Sequence, residues 1–499
     1  MAAGLVLSAV TGAQAIDFKA KGQWIMNFDY GQNGKFNDAR GWNGSEDEFE
    51  AEQRVRLQLD AVASEALSGT VFFEIGDQVW GQNSTGGALG ADGKMVEVKR
   101  AYIDWMPPAT DLKVRMGIQG IAFPSFTTGS MVMDNDVAGV VASYKFTDNV
   151  SVTALWARPF NDNFGGYGET YKGGREDYRA NYMDNMDVFA LMVPLTFDGL
   201  KVTPWGAYAA IGPNTFKAAD GDPYDNTING SGKSFAVSGL LPAGGARHRD
   251  GDNAMGKNAL GTYIDAWWAG LTGDVTMFDP FRFAWDFTYG SVQNHNESRY
   301  NRSGWILSGL FEYKMDWGIP GIVGWYASGD DGNPANGSER LPGFGYDSTN
   351  QFSSFAFGGE PYLARDGVMA LSMAGTWGVG ARIRDLSFIE DLKHTIRINW
   401  MGGTNAPKMG RKLADYDIWA NSDKRGMEAM YLTTKDQALE LSLRNTYSMY
   451  ENFDVIFEAD YIAMWLEDRG NGNKRIENAS MNNKTKDAWN LNLAFVYSF

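Results

Sequence analysis

The residues of this sequence with the clearest chemical pattern are charges spaced two apart: Arg54 and Arg56, Lys113 and Arg115, Asp134 and Asp136. In an extended chain that spacing puts both side chains on one face. Cations on one wall and carboxylates facing them would set up a field across a narrow gap. Such a field orders water and favours small polar solutes over apolar ones. Bond-breaking chemistry has little material. Zero cysteines remove disulfides, thiolate metal sites and Cys nucleophiles. The three histidines are His248, His295 and His394, and no nucleophile motif accompanies His295 or His394. Asp220-Gly221-Asp222 with Asp225-Asn226, and Asp330-Asp331-Gly332-Asn333, are pieces of calcium loops that lack the closing Glu. They read as solvated acidic loops. No catalysis, no cofactor and no resident metal are expected.

The elements that must position these charges are strands. The chain has 499 residues, 60 of them Gly, with 14% aromatics and a mean hydropathy of −0.34. It has no run of eighteen apolar residues, which excludes helical membrane spans. A net charge of −17 argues against a nucleic-acid partner, because phosphates need a basic footprint. What the sequence does have is period two. Phe18, Ala20, Gly22, Trp24, Met26, Phe28 and Tyr30 alternate with Asp17, Lys19, Lys21, Gln23, Asn27 and Asp29. Phe49, Val55, Leu57 and Leu59 alternate with Glu50, Glu52, Arg54, Arg56, Gln58 and Asp60. Phe281, Phe283, Trp285, Phe287 and Tyr289 oppose Arg282, Asp286 and Thr288. The last segment, Trp489 to Phe499, carries a large apolar residue at every odd position. One greasy and one wet face over segments of about ten residues is the signature of a transmembrane barrel.

Connection lengths sharpen this. Short links fall near Ser64, Pro107-Pro108, Thr147-Asp148, Asp198-Gly199, Asp279-Pro280, Asp316 to Ile319, Glu390-Asp391 and Glu451-Asn452. Long polar stretches rich in Gly, Asn and Asp lie between them. The expected fold is all-β: a transmembrane antiparallel up-and-down barrel with short periplasmic turns and long extracellular loops. About 18 strands are expected, with 16 as the alternative. A β-propeller or β-helix would show a repeated sequence unit, which is absent. Residues 1–15 end in Ala13-Gln14-Ala15 after an apolar run and match a secretory signal, although no Lys or Arg precedes that run. The mature barrel is expected to span 16–499. Tyr497 and Phe499, ending an apolar strand, resemble the assembly signal of bacterial outer-membrane barrels.

Selectivity is expected to be set after the fifth strand, by residues 120–138. Other loops are polar, whereas this one is rich in Phe, Met and Ile, and an apolar loop in bulk water is unfavourable. Folded into the barrel, it would pack through Phe123, Pro124, Phe126 and Met131. Asp134 and Asp136 would then face the pore. Arg54, Arg56, Arg100 and Arg115 would form the basic side. On the fourth strand Ala101, Ile103 and Trp105 are expected to face lipid, which turns Arg100 inward and Lys99 outward. Neutralising Asp134 and Asp136 is expected to shift ion preference toward anions. The sixth strand is expected to begin near Val140.

Four stretches carry a family resemblance: Val98–Pro108 (VKRAYIDWMPP), Val114–Phe126 (VRMGIQGIAFPSF), Gly129–Tyr144 (GSMVMDNDVAGVVASY) and Thr153–Asn163 (TALWARPFNDN). They resemble the homotrimeric outer-membrane porins of sulfate-reducing bacteria and, more distantly, the general trimeric porins. The resemblance implies a trimer of barrels, an inward-folded third loop and a basic wall on early strands. It also implies a location in the outer membrane of a Gram-negative bacterium, among lipid and lipopolysaccharide, with delivery by the barrel-assembly machinery. One departure is the missing Pro-Glu-Phe-Gly-Gly loop signature, replaced by Phe123-Pro124-Ser125-Phe126. The expected function is passive diffusion of small hydrophilic solutes and ions through a water-filled channel. The alternative is a substrate-selective channel for sugars or organic anions. A sugar-sliding aromatic track is disfavoured, because most aromatics fall on the outward parity.

Overall fold

The computed structural model describes residues 16–34, 36, 48–90, 96–161, 170–171, 175–176, 185–212, 215, 239–242, 262–295, 298–333, 335–346, 352–358, 367–415, 430–467 and 485–499. The signal segment 1–15, His248 and the Asp220–Asn226 stretch lie outside the described residues.

Alternating large apolar and polar residues leave each segment with two unlike faces, and an extended chain is the conformation that separates them. Among the described residues, eighteen long strands do so. They are β1 (Asp17–Gln32), β2 (Glu48–Ser64), β3 (Leu67–Val79), β4 (Glu97–Trp105), β5 (Lys113–Ala122) and β6 (Met133–Lys145). Next come β7 (Ser151–Asn161), β8 (Asn185–Met192, continued past Pro194 by Leu195–Phe197), β9 (Leu200–Ile211), β10 (Ile264–Val275), β11 (Phe281–Asn294) and β12 (Arg302–Tyr313). The last six are β13 (Ile319–Ala327), β14 (Thr376–Ile389), β15 (Leu392–Gly403), β16 (Gln437–Tyr450), β17 (Phe453–Trp465) and β18 (Ala488–Ser498). Each pairs antiparallel with its chain neighbours, and β18 returns to β1 with Trp24 opposite Tyr497 and Phe28 opposite Leu493. The sheet therefore closes and has no free edge. The strand number is eighteen, and the eight short links are the turns at one end of the barrel.

The outward face is apolar. Phe281, Phe283 and Phe287 are each 40% exposed or more, while Asp286 between them is 6% exposed. The polar tips of aromatic side chains at one rim are tied to neighbouring strands. Trp156 donates to Asp187, Trp489 to Gln32, Trp400 to Gln437 and Trp80 to Gln53, and the hydroxyls of Tyr208 and Tyr461 bind Asp265 and Asp487. Rings with an apolar body and a satisfied polar tip suit a membrane–water interface.

The inward face is not simply wetted. Two chain segments between strands fold into the lumen and build an apolar core there. One is residues 123–132, between β5 and β6; the other runs through 352–358 and 367–375, between β13 and β14. Phe123, Trp205, Trp268 and Phe344 pack in one cluster, with Phe123 stacked on Trp205 at 4.9 Å. Met131, Phe352, Phe355, Phe357, Met369 and Met373 belong to a second, against inward residues of β11 to β13 and β15 to β18. Burying such side chains is worth about 1.5–3 kcal/mol each, which opposes expulsion of either segment into water.

Candidate pore constriction

The early strands bring their charges together as neutral pairs. Arg56 on β2 faces Glu74 on β3 across the ladder, and its Nε donates to Glu74 Oε2 at 2.7 Å. Arg54 Nε donates to Asp77 Oδ1 at 2.6 Å. Arg115 on β5 holds Asp104 on β4 through Nε and Nη2, at 2.7 and 2.9 Å. Its guanidinium lies over the Tyr102 ring, 4.1 Å from its centre, within cation–π range. Arg100 Nε donates to Asp136 Oδ1 at 2.5 Å, and Lys99 Nζ lies 3.3 Å from Asp136 Oδ2.

These contacts correct four expectations. The β5–β6 ladder runs on to Ala122 opposite Asp134, so the connection is 123–132 rather than 120–138, and β6 begins at Met133 rather than near Val140. Asp134 and Asp136 therefore sit on a strand, not on the loop. Period two places them on the face of Ala138, which pairs with exposed Ile118, and opposite buried Met133 and Val137. Asp136 does not face a basic wall across a gap; it joins Arg100 and Lys99 in one cluster. Lys99 likewise is drawn between Glu74 and Asp136 instead of pointing away.

The 123–132 segment crosses the lumen and docks on a single carboxylate of the far wall. Asp286 on β11 accepts from the Ser125 hydroxyl at 2.5 Å and from the Phe126 and Thr127 amides at 2.9 Å each. The Thr127 hydroxyl also binds Asp286, and lies 2.6 Å from Ser308 Oγ on β12. Pro124 and Phe126 are partly buried beside these contacts, and Met131 is 5% exposed. The second inward segment uses the same device. Glu440 on β16 accepts from the Ser353 hydroxyl and the Phe355 and Ala356 amides at 2.9, 2.9 and 3.0 Å, and from Asn399 Nδ2 at 2.8 Å. Charge-assisted bonds to amide N–H groups are the strong kind.

Beneath that second segment lies a run of arginines that the sequence does not single out. Glu312 on β12 is 1% exposed and holds three of them: Arg282 Nη1 at 3.1 Å, Arg382 Nη2 at 2.8 Å and Arg384 Nε at 2.8 Å. Arg382 and Arg384 sit on β14, and β13 lies between. Gly321 on β13 pairs with Glu312 on one side and Arg382 on the other. A Cβ at Gly321 would stand 2.9 Å from Glu312 Cγ, so the glycine opens the passage between strands. Arg444 Nε donates to Glu458 at 2.6 Å, and Arg397 Nη1 to Ser354 Oγ at 3.2 Å. The signal was present: Arg382-Ile383-Arg384 repeats the spacing of Arg54-Val55-Arg56.

In most of these ion pairs the guanidinium is nearer to water than its carboxylate. Side-chain exposures are 34% for Arg384 and 28% for Arg282 against 1% for Glu312, and 21% for Arg444 against 1% for Glu458. On this wall, water meets arginine. Asp330, read from the sequence as part of a solvated acidic loop, is instead buried and accepts from Ser338, Glu339 N and Tyr431, while Asp331 accepts from Asn333 N and Asn336.

No protein-family model matches the chain, and no curated protein matches it. Solved structures do. The outer membrane protein OprD from Pseudomonas aeruginosa superposes with a TM-score of 0.52 at 11% identity, over 99% of this chain and 97% of that one. A BenF-like porin from Pseudomonas fluorescens Pf-5 gives 0.51 at 10% identity, over 97% and 99%. At this identity the likeness is one of fold, and it covers the entire barrel.

Proposed function

We propose that this chain is an outer-membrane porin of a Gram-negative bacterium, a water-filled channel for passive diffusion of small hydrophilic solutes and ions. The observation that carries it is the closed eighteen-strand barrel, apolar and aromatic outside, charged inside. The name of the BenF-like porin that shares this fold supports the reading. Residues 123–132 and 352–358, docked on Asp286 and Glu440, are the constriction. Arg54, Arg56 and Arg115 line one early wall as neutral pairs, so they tune water order there more than net ion preference, while Arg100 is taken up by Asp136. In a planar bilayer the purified protein should give large ohmic steps. A protein that inserts without conductance would be a structural envelope component, and the reading would fall.

The arginine-fronted wall favours a second reading, a channel selective for organic anions. Arg282, Arg384 and Arg444 meet water while their carboxylates lie behind them. Saturable block of the current by a carboxylate solute, with none by a neutral sugar, would establish it. The resemblance to the porins of sulfate-reducing bacteria supports a homotrimer, which would close in three steps. It also supports contact with lipopolysaccharide and delivery by the barrel-assembly machinery through Tyr497 and Phe499, after cleavage behind Ala15.

A further inference from the structure

The β5–β6 hairpin leaves the barrel wall at a single row of the sheet. Tyr102 on β4 faces Gly117 on β5, Gly117 faces Gly139 on β6, and Gly139 faces Ala157 on β7. The β6–β7 ladder stops at this row, and the β4–β5 ladder stops one residue higher, at Ala101 opposite Ile118. The β5–β6 ladder itself runs on to Ala122 opposite Asp134. Two strands thus stay paired with each other while both lose their outer neighbours. Gly117 has a φ of +131°, a conformation that residues with a side chain rarely adopt. A Cβ on Gly117 would stand 2.7 Å from Tyr102 Cα, and one on Gly139 would stand 2.5 Å from Trp156 O. Facing glycines let a sheet bend where side chains would block the close approach of backbones.

Both edges freed by the bend are taken up again. On the edge that β7 has left, Gly345–Tyr346 pairs in parallel with Met133 and Asp134, and Phe344 N donates to Val132 O at 2.9 Å. On the β4 side, side chains replace the ladder. Arg100 holds Asp136, and its guanidinium lies so close over Gly120 that a Cβ there would be 3.0 Å from Nη2. At the bend, Gln119 is 1% exposed and its Nε2 donates to Gly139 O at 3.0 Å. A two-stranded hairpin is marginal on its own, so these contacts hold the arm in place. Taking the barrel as a channel, we propose that Gly117 and Gly139 set the pore width, as the facing bend points that turn the β5–β6 hairpin into the lumen. Arg100 is the positioning residue that keeps it there. Neither glycine presents a side chain to a solute, so both act on the size of what passes.

The test uses the full chain in planar bilayers, with polyethylene glycols of graded size to find the largest that enters. Gly117→Val cannot hold the positive φ without strain, so the hairpin should straighten toward the wall. Single-channel conductance should rise and larger polymers should enter. Adding Thr127→Cys with Ser308→Cys should bring both back under oxidising conditions, because the two native hydroxyls lie 2.6 Å apart. Dithiothreitol should undo that rescue, and no native cysteine interferes. A general loss of packing would not be reversed by one cross-link at the far end of the arm. Arg100→Met lies outside the bend, should fold even if Gly117→Val does not, and should move the size cut-off in the same direction. A silent wild type would end the channel reading and this proposal together. A conducting wild type with unchanged conductance and cut-off in Gly117→Val would overturn the proposal alone. Where Gly117→Val yields no folded barrel, the same result in Arg100→Met would overturn it.

Discussion

At the scale of single residues, the interior is governed by which charges are covered. Glu312 is nearly dry, and its burial is tolerated because three guanidinium groups converge on it. Removing one partner of a buried charge network typically costs about 3–5 kcal/mol. Arg382→Met, which takes away the most buried partner, should therefore lower the melting temperature more than Arg384→Met. Thermal unfolding of the two variants side by side checks this, and equal losses would contradict it. Gly321→Val should imitate the stronger loss, since its side chain would meet Glu312. For transport, Arg282→Gln with Arg384→Gln should move the zero-current potential in a salt gradient toward cation preference. Asp134→Asn with Asp136→Asn should leave it unchanged, because period two puts both carboxylates on the face turned from the lumen core. A shift with the second pair and none with the first would reverse this assignment.

At the scale of elements, both inward segments are pinned by one carboxylate that gathers backbone amides and a serine hydroxyl. Asp286→Asn presents an amide donor to amide donors, and each lost charge-assisted bond is worth roughly 1.5–3 kcal/mol. The 123–132 segment should then detach, and single-channel recordings should show larger or noisier current. Glu440→Gln should do the same for 352–358. A quiet, unchanged current in either variant would mean that apolar packing alone holds that segment. The strands and their turns were legible in the sequence, because period two and the Pro, Gly, Asp and Asn of the eight short links are local signals. The apolar character of 123–132 was a local signal as well, carried by Phe123 and Met131. Its limits were not. Met133 to Val137 reads equally as loop or strand until the ladder to Ala122 is seen. The second inward segment was hidden among long Gly-rich loops, and its acceptors, Asn399 and Glu440, lie on strands far along the chain. The arginines of β14 and β15 were visible, but nothing local says that Gly321 lets Glu312 reach past a strand.

At the scale of the whole molecule, the barrel is a ring whose two ends meet. Asn27 and Asn492, 465 residues apart, are joined side chain to side chain, and Phe499 exchanges two backbone hydrogen bonds with Gly22 at 2.8 and 3.0 Å. Loop entropy grows only slowly with length, so the distance itself is a modest thermodynamic burden. Its kinetic burden is larger. Until β18 has been made, β1 is an unpaired edge strand with a full row of open N–H and C=O groups. Such an intermediate is sticky for as long as it lives. Deleting Phe499 should lower the yield of folded barrel more than the stability of barrels already closed, as refolding trials and melting curves would separate. The seam is thus a clock as well as a joint: the first strand laid down waits longest for its partner, and something must shield it until the last arrives.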